Sequence, residues 1–169
     1  MPGDTHSGAL TRCEVCGGFY LHGRRGCEET FHLISGAAQA DARHAHRHRM
    51  VVDAYCLQHP DPYCLSAKSY AAHLVGLCWG VEHAATMSGY GAIQRWLNGQ
   101  RKLKKPPLPP TTGSVTLAEV MFDSSQRRDD AVARWAKSVW QAHESQHAIA
   151  RDWLTIALSE QQRSGRRAF

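Results

Sequence analysis

The sequence predicts a mainly α-helical fold, a bundle of four or five helices with a small zinc-knuckle-like segment at its N-terminus. Apolar residues recur at spacings of three and four along several stretches, which is the period of a helix with one buried face. A CxxC pair followed by two glycines, residues 13–18, precedes the first of these stretches. With 169 residues, 43% of them hydrophobic, the chain is long enough for one domain to bury a core without disulfides.

The composition suggests one helical domain over residues 13–160, after a disordered N-terminus (1–12) and before a basic tail (161–169). Within it, residues 13–27 form the cysteine knuckle and residues 103–115 a proline-rich connection. No apolar run approaches the roughly 20 residues of a membrane span, and the N-terminus lacks a signal-peptide layout. We therefore expect a cytoplasmic protein that does not bind membranes, with its six cysteines as thiols or metal ligands.

The basic residues are scattered. The net charge of +5 is concentrated in Arg24 and Arg25, in residues 101–105 and in the tail. Nucleic-acid binders usually cluster such charges on one face, so this pattern favours a solvated surface over nucleic-acid binding. A small-molecule substrate of unidentified class is the expected partner, and the composition is compatible with a homo-oligomer.

The N-terminal cysteines predict a structural zinc site. Cys13 and Cys16 form the CxxC pair, and Cys27 follows after a short turn-rich stretch. Tetrahedral zinc takes four ligands. Three histidines are candidates for the fourth ligand, and the spacing does not rank them: His22, His32 and His59. Ordinary reduced thiols are the alternative, while a redox-active CxxC is disfavoured because no βαβ pattern surrounds it.

The first two helices are predicted over residues 28–42 and 51–58, the second ending before the sequence HPDP. Asp53 lies in the second helix, among apolar residues. A buried carboxylate needs a partner, and orienting a metal-binding imidazole is one such role. Ser66 is a suitable N-cap for a third helix over 67–87.

His73 lies on the apolar stripe of that third helix. A lone inward-facing histidine is usually a core residue, but the other histidines of the chain raise its rank as a ligand. A short helix over residues 90–102 follows. Beyond the proline-rich connection, Thr116 and Glu119 match a capping box.

The last predicted helix runs from residue 128 to 161 and carries a histidine pair. His143 and His147 are four residues apart on its apolar stripe, an arrangement that can chelate one metal ion. With Glu144 the letters also fit the zinc-peptidase signature H-E-x-x-H. Those peptidases carry it in an α/β setting with a third ligand downstream, which this chain does not match.

A second histidine-rich stretch lies before the second predicted helix. His44, His46 and His48 occupy every second position, so they cannot share one helix face. A solvated basic face is favoured over a metal-scavenging tract. His48 remains a candidate ligand because it leads into the apolar run of the helix.

Several motifs together resemble an uncharacterised bacterial domain-of-unknown-function family. CEVCGG, HRMVVDAYCLQHP and AAHLVGLCWGVEH match its CPxCG, VDAYxxQHP and HLxxLC motifs, over nearly the whole chain. The resemblance implies that seven residues occupy motif positions: His48, Asp53, Tyr55, Gln58, His59, His73 and His147. Gln146 replaces the first histidine of the family's C-terminal pair, so His143 is an additional imidazole. The family carries no established activity.

The HL on one helix and HxxxH on the last are also similar to DinB-like metal-dependent four-helix bundles. Those proteins bind a divalent ion through three histidines, and several are thiol-dependent transferases or hydrolases. The resemblance implies a triad of His73, His143 and His147.

The leading functional hypothesis from the sequence is a metal-dependent enzyme of the hydrolase or transferase kind. A divalent ion (zinc, nickel, copper or iron) bound by the histidines, with His59 as a further ligand, would activate water, a thiol or a carbonyl. Asp53 and Glu144 are candidate bases or orienting groups, and Tyr55 a candidate proton donor. The alternatives are a non-catalytic zinc-stabilised regulatory or interaction module and a metal-handling protein.

Overall fold

The computed structural model describes residues 8–39, 45–123 and 127–166. For residues 165 and 166 it describes the backbone alone. The protein is mainly helical and has a small two-stranded sheet, which confirms the predicted class. No helix in these ranges is long and apolar enough to cross a membrane.

The chain alternates longer helices with short turns. Its helices are α1 (Arg24–Gln39), α2 (Ala45–Gln58), α3 (Pro60–Tyr63), α4 (Ala67–Glu82), α5 (Met87–Asn98), α6 (Leu117–Met121), α7 (Arg128–Ala142) and α8 (His147–Arg166). The strands β1 (Leu10–Arg12) and β2 (Phe19–Leu21) pair antiparallel, with Leu10 opposite Leu21. Strand β1 lies in the segment that the sequence predicts to be disordered, whereas residues 1–7 lie outside the described ranges.

The hairpin turn between the strands is the cysteine knuckle. The Cys13 amide donates to the Gly18 carbonyl at 2.7 Å, and the Gly17 amide donates to the Cys13 carbonyl at 2.9 Å. Gly17 has a φ of 80°, a left-handed conformation that glycine adopts without strain. Tyr20 of β2 is buried, and its hydroxyl accepts from the Ala118 amide of α6 at 2.9 Å. The hairpin is thereby attached to the helical core.

Helices α2 and α4 form the centre of the protein. Helix α2 packs against α1, α4 and α7, and α4 also packs against α5, α7 and α8. Because α2 is covered on several sides, it is buried continuously from Asp53 to Gln58 and shows little amphipathic pattern. The helix begins at Ala45, six residues before the start predicted from the sequence.

Two of the predicted helix starts are confirmed. The Ser66 hydroxyl accepts from the Ser69 amide at 2.9 Å at the start of α4. The Glu119 carboxylate accepts from the Thr116 amide at 2.9 Å at the start of α6. Helix α4 ends at Glu82, five residues before the predicted end.

The prediction of one helix over residues 128–161 is wrong. Helix α7 ends at Ala142, a 3₁₀ turn spans Glu144–Gln146, and α8 begins at His147. The His143 amide donates to the Trp140 carbonyl three residues back, at 2.9 Å, which interrupts the α-helical ladder. After the break α8 packs on α5, while α7 packs on α2 and α6, and both helices pack on α4. With this break and the short helices α3 and α6, the described ranges contain eight helices, and the predicted bundle of four or five is not confirmed.

The proline-rich connection is a non-helical strap between α5 and α6. Two buried glutamines fix it to the bundle. The side-chain Nε2 of Gln58 donates to the carbonyls of Thr112 at 3.3 Å and Val115 at 2.9 Å. The side-chain Nε2 of Gln146 donates to the Pro107 carbonyl at 2.6 Å. The motif residue Gln58 therefore holds the connection in place.

Candidate metal centre

Four side chains from separate parts of the fold converge beside the hairpin: Cys13, Cys16, Cys27 and His59. Their ligand atoms all lie within 4.8 Å of one another. Cys16 Sγ is 3.8 Å from Cys27 Sγ, and His59 Nε2 is 3.5 Å from Cys27 Sγ and 3.8 Å from Cys13 Sγ. Tetrahedral zinc, with Zn–S bonds of about 2.3 Å and Zn–N bonds of about 2.0 Å, places two sulfurs about 3.8 Å apart and a sulfur and nitrogen about 3.5 Å apart. Three of the distances among the four ligand atoms therefore match tetrahedral zinc, and all four atoms are close enough to hold one metal ion.

The local sequence accounts for each ligand's position. Cys13 and Cys16 flank the knuckle turn, and Cys27 lies in the first turn of α1. A Cβ atom at Gly26 would lie 1.8 Å from the Leu21 carbonyl, so glycine at this position lets α1 approach β2 closely enough to bring Cys27 to the knuckle. His59 caps α3, where the prolines of HPDP turn the chain after α2.

Hydrogen bonding and stacking orient the His59 ring. Its Nδ1 donates to the Tyr55 carbonyl at 3.1 Å, so the lone pair of Nε2 faces the cysteines. The Tyr55 ring stacks on His59 with 4.2 Å between centroids, and Phe31 stacks on Tyr55 at 4.0 Å. Burial raises the pKa of the Tyr55 hydroxyl, which keeps it protonated. Tyr55 thus supports the ligand His59, while its predicted role as a proton donor in catalysis stays a prediction.

Without a metal ion, Cys16 and Cys27 shift each other's thiol pKa in opposite directions. The hydrogen bond from Cys27 lowers the pKa of Cys16, and the same bond together with burial raises the pKa of Cys27. The Tyr20 hydroxyl, 3.9 Å from Cys16 Sγ, accepts from the Ala118 amide, which leaves its proton free to point at the sulfur. The surroundings thus favour a thiolate, the form that binds zinc.

Asp53 contacts the imidazole of His73, and its predicted role of orienting a metal-binding imidazole stays a prediction. Asp53 is fully buried, and its Oδ1 accepts from His73 Nδ1 at 2.9 Å. Its Oδ2 has no hydrogen-bond partner among the described residues and lies against Gly76 of α4. A Cβ atom at Gly76 would be only 2.2 Å from Oδ2, so glycine makes room for the carboxylate.

The structure does not bring His73, His143 and His147 together as one ligand group in the ranges it describes. His143 is the C-cap of α7, and its Nδ1 donates to the Val139 carbonyl at 2.9 Å. His147 starts α8, stacks on Trp140 with 3.9 Å between centroids, and has Nε2 at 2.8 Å from the Trp140 carbonyl. The predicted two-histidine clamp needs one continuous helix face, which the break at 144–146 removes.

The remaining predicted site residues lie apart from the four-ligand cluster. His48 Nδ1 lies 3.0 Å from the Ser35 carbonyl, where α2 meets α1. Glu144 is exposed in the 3₁₀ turn, and His44 lies outside the described ranges.

A second, weaker group of ligand atoms, Cys78, Glu82 and His83, is not predicted from the sequence. The carboxylate of Glu82 is already engaged, because it accepts from Arg151 at 2.6 and 2.8 Å and from Trp140 Nε1 at 2.9 Å. The Arg151 hydrogen bonds lower the pKa of Glu82 to about 2. Glu82 thus serves as an anchor between α4, α7 and α8, and an ion would have to displace its partners.

His143 makes a testable contribution to the pH dependence of stability. Burial lowers its pKa from the ordinary value, and the nearby His147 adds to the effect. Its Nε2 is buried without a hydrogen-bond partner among the described residues. The unfolded chain binds the proton more readily than the folded chain. The contribution of His143 to the free energy of unfolding should therefore be fully present above the unfolded pKa of about 6.5. It should fall as the pH drops below that value, by at most about 1.4 kcal/mol per pH unit.

Urea unfolding between pH 7.5 and 5 measures this slope. In His143→Asn the side-chain amide can still donate to the Val139 carbonyl. The slope of unfolding free energy against pH should fall in this variant by the equivalent of up to one proton. His22→Asn, a substitution of an exposed histidine, serves as the control. Equal slopes for wild type and His143→Asn would contradict the assignment.

Comparison with known proteins identifies a family and no characterised relative. No curated protein and no solved structure matches the chain. A family of unknown function, DUF5946, matches residues 11–144, a range that contains all four residues of the metal cluster. The chain belongs to the DUF5946 family.

Proposed function

We propose that the protein binds one zinc ion through Cys13, Cys16, Cys27 and His59, and that this ion fastens the N-terminal hairpin and α1 to the end of α2. The close approach of the four ligand atoms carries the proposal: all lie within 4.8 Å of one another, and three of the distances, at 3.5 to 3.8 Å, are those of tetrahedral zinc. Because four protein ligands fill a tetrahedral shell, no position stays open for water or substrate. Such closed sites are structural.

The donor set favours zinc over the harder divalent ions. Thiolates suit zinc, copper(I) and iron–sulfur centres, while magnesium, calcium and manganese prefer oxygen ligands. Three thiolates with Zn²⁺ leave a net charge of −1, which the hydroxyl of Tyr20 is placed to stabilise beside Cys16. The protein is on this basis a zinc-stabilised helical module. The histidine-bound catalytic ion predicted from the sequence is not part of the proposal.

The first test is the metal content and its ligand dependence. The chain purified in reducing buffer should contain one zinc per chain, and cobalt(II) exchange should give the intense visible absorption of a tetrahedral thiolate site. Cys16→Ser should lose both signals. Cys78→Ser, in the second ligand group, is the matched control and should retain them.

Two results would contradict the proposal: a chain that folds with no bound metal, or a cobalt(II) spectrum typical of six oxygen and nitrogen ligands. Metal loss in Cys78→Ser with retention in Cys16→Ser would instead move the site to α4.

A further inference from the structure

One ligand of the zinc site is accessible and the other three are not. Cys13, Cys27 and His59 are each 0% exposed. Cys16 is partly exposed and lines an open cleft of about 490 Å³ between the hairpin and the chain leading into α6. A small molecule in this cleft therefore contacts Cys16 and none of the other three ligand residues.

We propose that Cys16 and Cys27 form an oxidation site, at which a peroxide entering the cleft drives a disulfide bond and expels the zinc. The inference rests on the proposed zinc site and adds a regulatory reaction to it. Peroxides are the chemical class that fits, because they are small, diffuse into an open cleft and react with thiolates.

The reaction has two balanced steps. In the first, the Cys16 thiolate attacks one peroxide oxygen, so that an S–O bond forms, the O–O bond breaks and hydroxide leaves, giving sulfenic acid. In the second, the Cys27 thiolate attacks the Cys16 sulfur, so that an S–S bond forms and a second hydroxide leaves. The two sulfurs lose two electrons in total, and hydrogen peroxide gains them.

Cys27 is placed to be the resolving residue. Its sulfur lies 3.8 Å from that of Cys16, and a disulfide requires about 2.05 Å. The knuckle turn can supply this movement, because Cys16 is followed by Gly17 and Gly18, whereas Cys27 is held in helix α1. After the bond forms, Cys13 and His59 remain as ligands, and two are too few to hold a structural zinc.

The other three cysteines are internal controls. Cys56, Cys64 and Cys78 are buried at 4% exposure or less, and burial raises the pKa of each thiol. Both properties make them poor nucleophiles towards peroxide. Oxidation should therefore be selective for the zinc site.

The experiment treats the zinc-loaded, full-length chain with a small molar excess of hydrogen peroxide. A chromogenic chelator measures the zinc released. Cleavage after Arg12, Glu14 and Arg24 places Cys13, Cys16 and Cys27 on separate peptides, so mass spectrometry can assign the disulfide. We expect release of one zinc per chain, a Cys16–Cys27 bond, and recovery of zinc binding after dithiothreitol treatment.

Cys16→His is the matched variant, since an imidazole can replace the thiolate as the fourth ligand without providing an oxidisable sulfur. Its zinc should resist peroxide. If this variant fails to bind zinc, the peptide assignment in the wild-type chain decides alone. The oxidation proposal is wrong, and the zinc site stands, if zinc bound before the treatment is retained after it. The same holds if the disulfide joins Cys13 and Cys16. Absence of zinc before any peroxide is added contradicts the zinc site itself.

Discussion

His59→Ala should release the zinc and destabilise the protein by at least about 4 kcal/mol, the contribution of a ligand present at a thousand times its dissociation constant. For a chain of this length the fall in Tm is roughly 10 °C. The effect is large because His59 is the one ligand outside the N-terminal segment and connects the cysteines to the end of α2. Calorimetry and metal analysis of the purified variant measure both results.

The loss of zinc must be separated from the loss of ring packing, since His59 also stacks on Tyr55. A chelator supplies this separation. It should lower the Tm of the wild-type chain strongly and leave the Tm of His59→Ala unchanged, because the variant has no zinc to lose.

His147→Ala is the matched histidine control. His147 stacks on Trp140 and contacts its carbonyl, so its replacement should cost about 1 kcal/mol of hydrogen bonding and some packing while the zinc stays bound. Two results would instead support a metal ion bound by the histidines of the last two helices. One is zinc retained in His59→Ala, and the other is zinc lost in His147→Ala.

The three cysteines of the candidate metal centre could be predicted from the sequence because their signal is local. Cys13 and Cys16 have the spacing of a zinc knuckle, and Cys27 follows closely. The fourth ligand depends on where the chain turns after α2, and spacing alone does not distinguish His59 from His22 and His32. The structure shows both of these histidines exposed, whereas His59 is buried against the thiols.

The histidine pair shows the opposite situation, in which a regular pattern is overridden by packing. The apolar stripe continues through His143 and His147 as if one helix carried both. No proline or glycine marks the break. It comes from a 3₁₀ turn after which α8 packs on α5, whereas α7 packs on α2 and α6. Similarly, the burial of Asp53 could be predicted from its apolar neighbours, but its bond to His73 depends on how α2 meets α4.

The contact between α2 and α4 predicts a large effect for a small change, Gly76→Ala. The new methyl group would lie 2.2 Å from Asp53 Oδ2 and 2.8 Å from Asp53 Cγ, closer than atoms approach without displacement. Asp53 is fully buried and bonded to His73, so it can yield only by breaking that bond or by separating the helices. Overpacking and a lost charge-assisted hydrogen bond outweigh the helix propensity gained by alanine, leaving a net destabilisation of roughly 2–4 kcal/mol.

Gly36→Ala is the control for helix propensity, because Gly36 lies exposed within α1 and a Cβ atom there meets nothing within 4 Å. It should stabilise the chain by about 1 kcal/mol. Urea unfolding of both variants compares them directly, and the zinc content should be unchanged in each. Gly36→Ala and Gly76→Ala with the same effect would show that the Asp53 carboxylate does not occupy the space beside Gly76.

The double variant Asp53→Ala/Gly76→Ala locates the clash. Asp53→Ala alone should be destabilising, because it leaves His73 Nδ1 without its partner and opens a cavity beside Gly76. Adding Gly76→Ala to that background should be neutral or stabilising, since the methyl group then enters empty space. The sign change of a single substitution between two backgrounds cannot arise from helix propensity, which is the same in both. If Gly76→Ala remains destabilising without the carboxylate, the clash lies with the α2 backbone and not with Asp53.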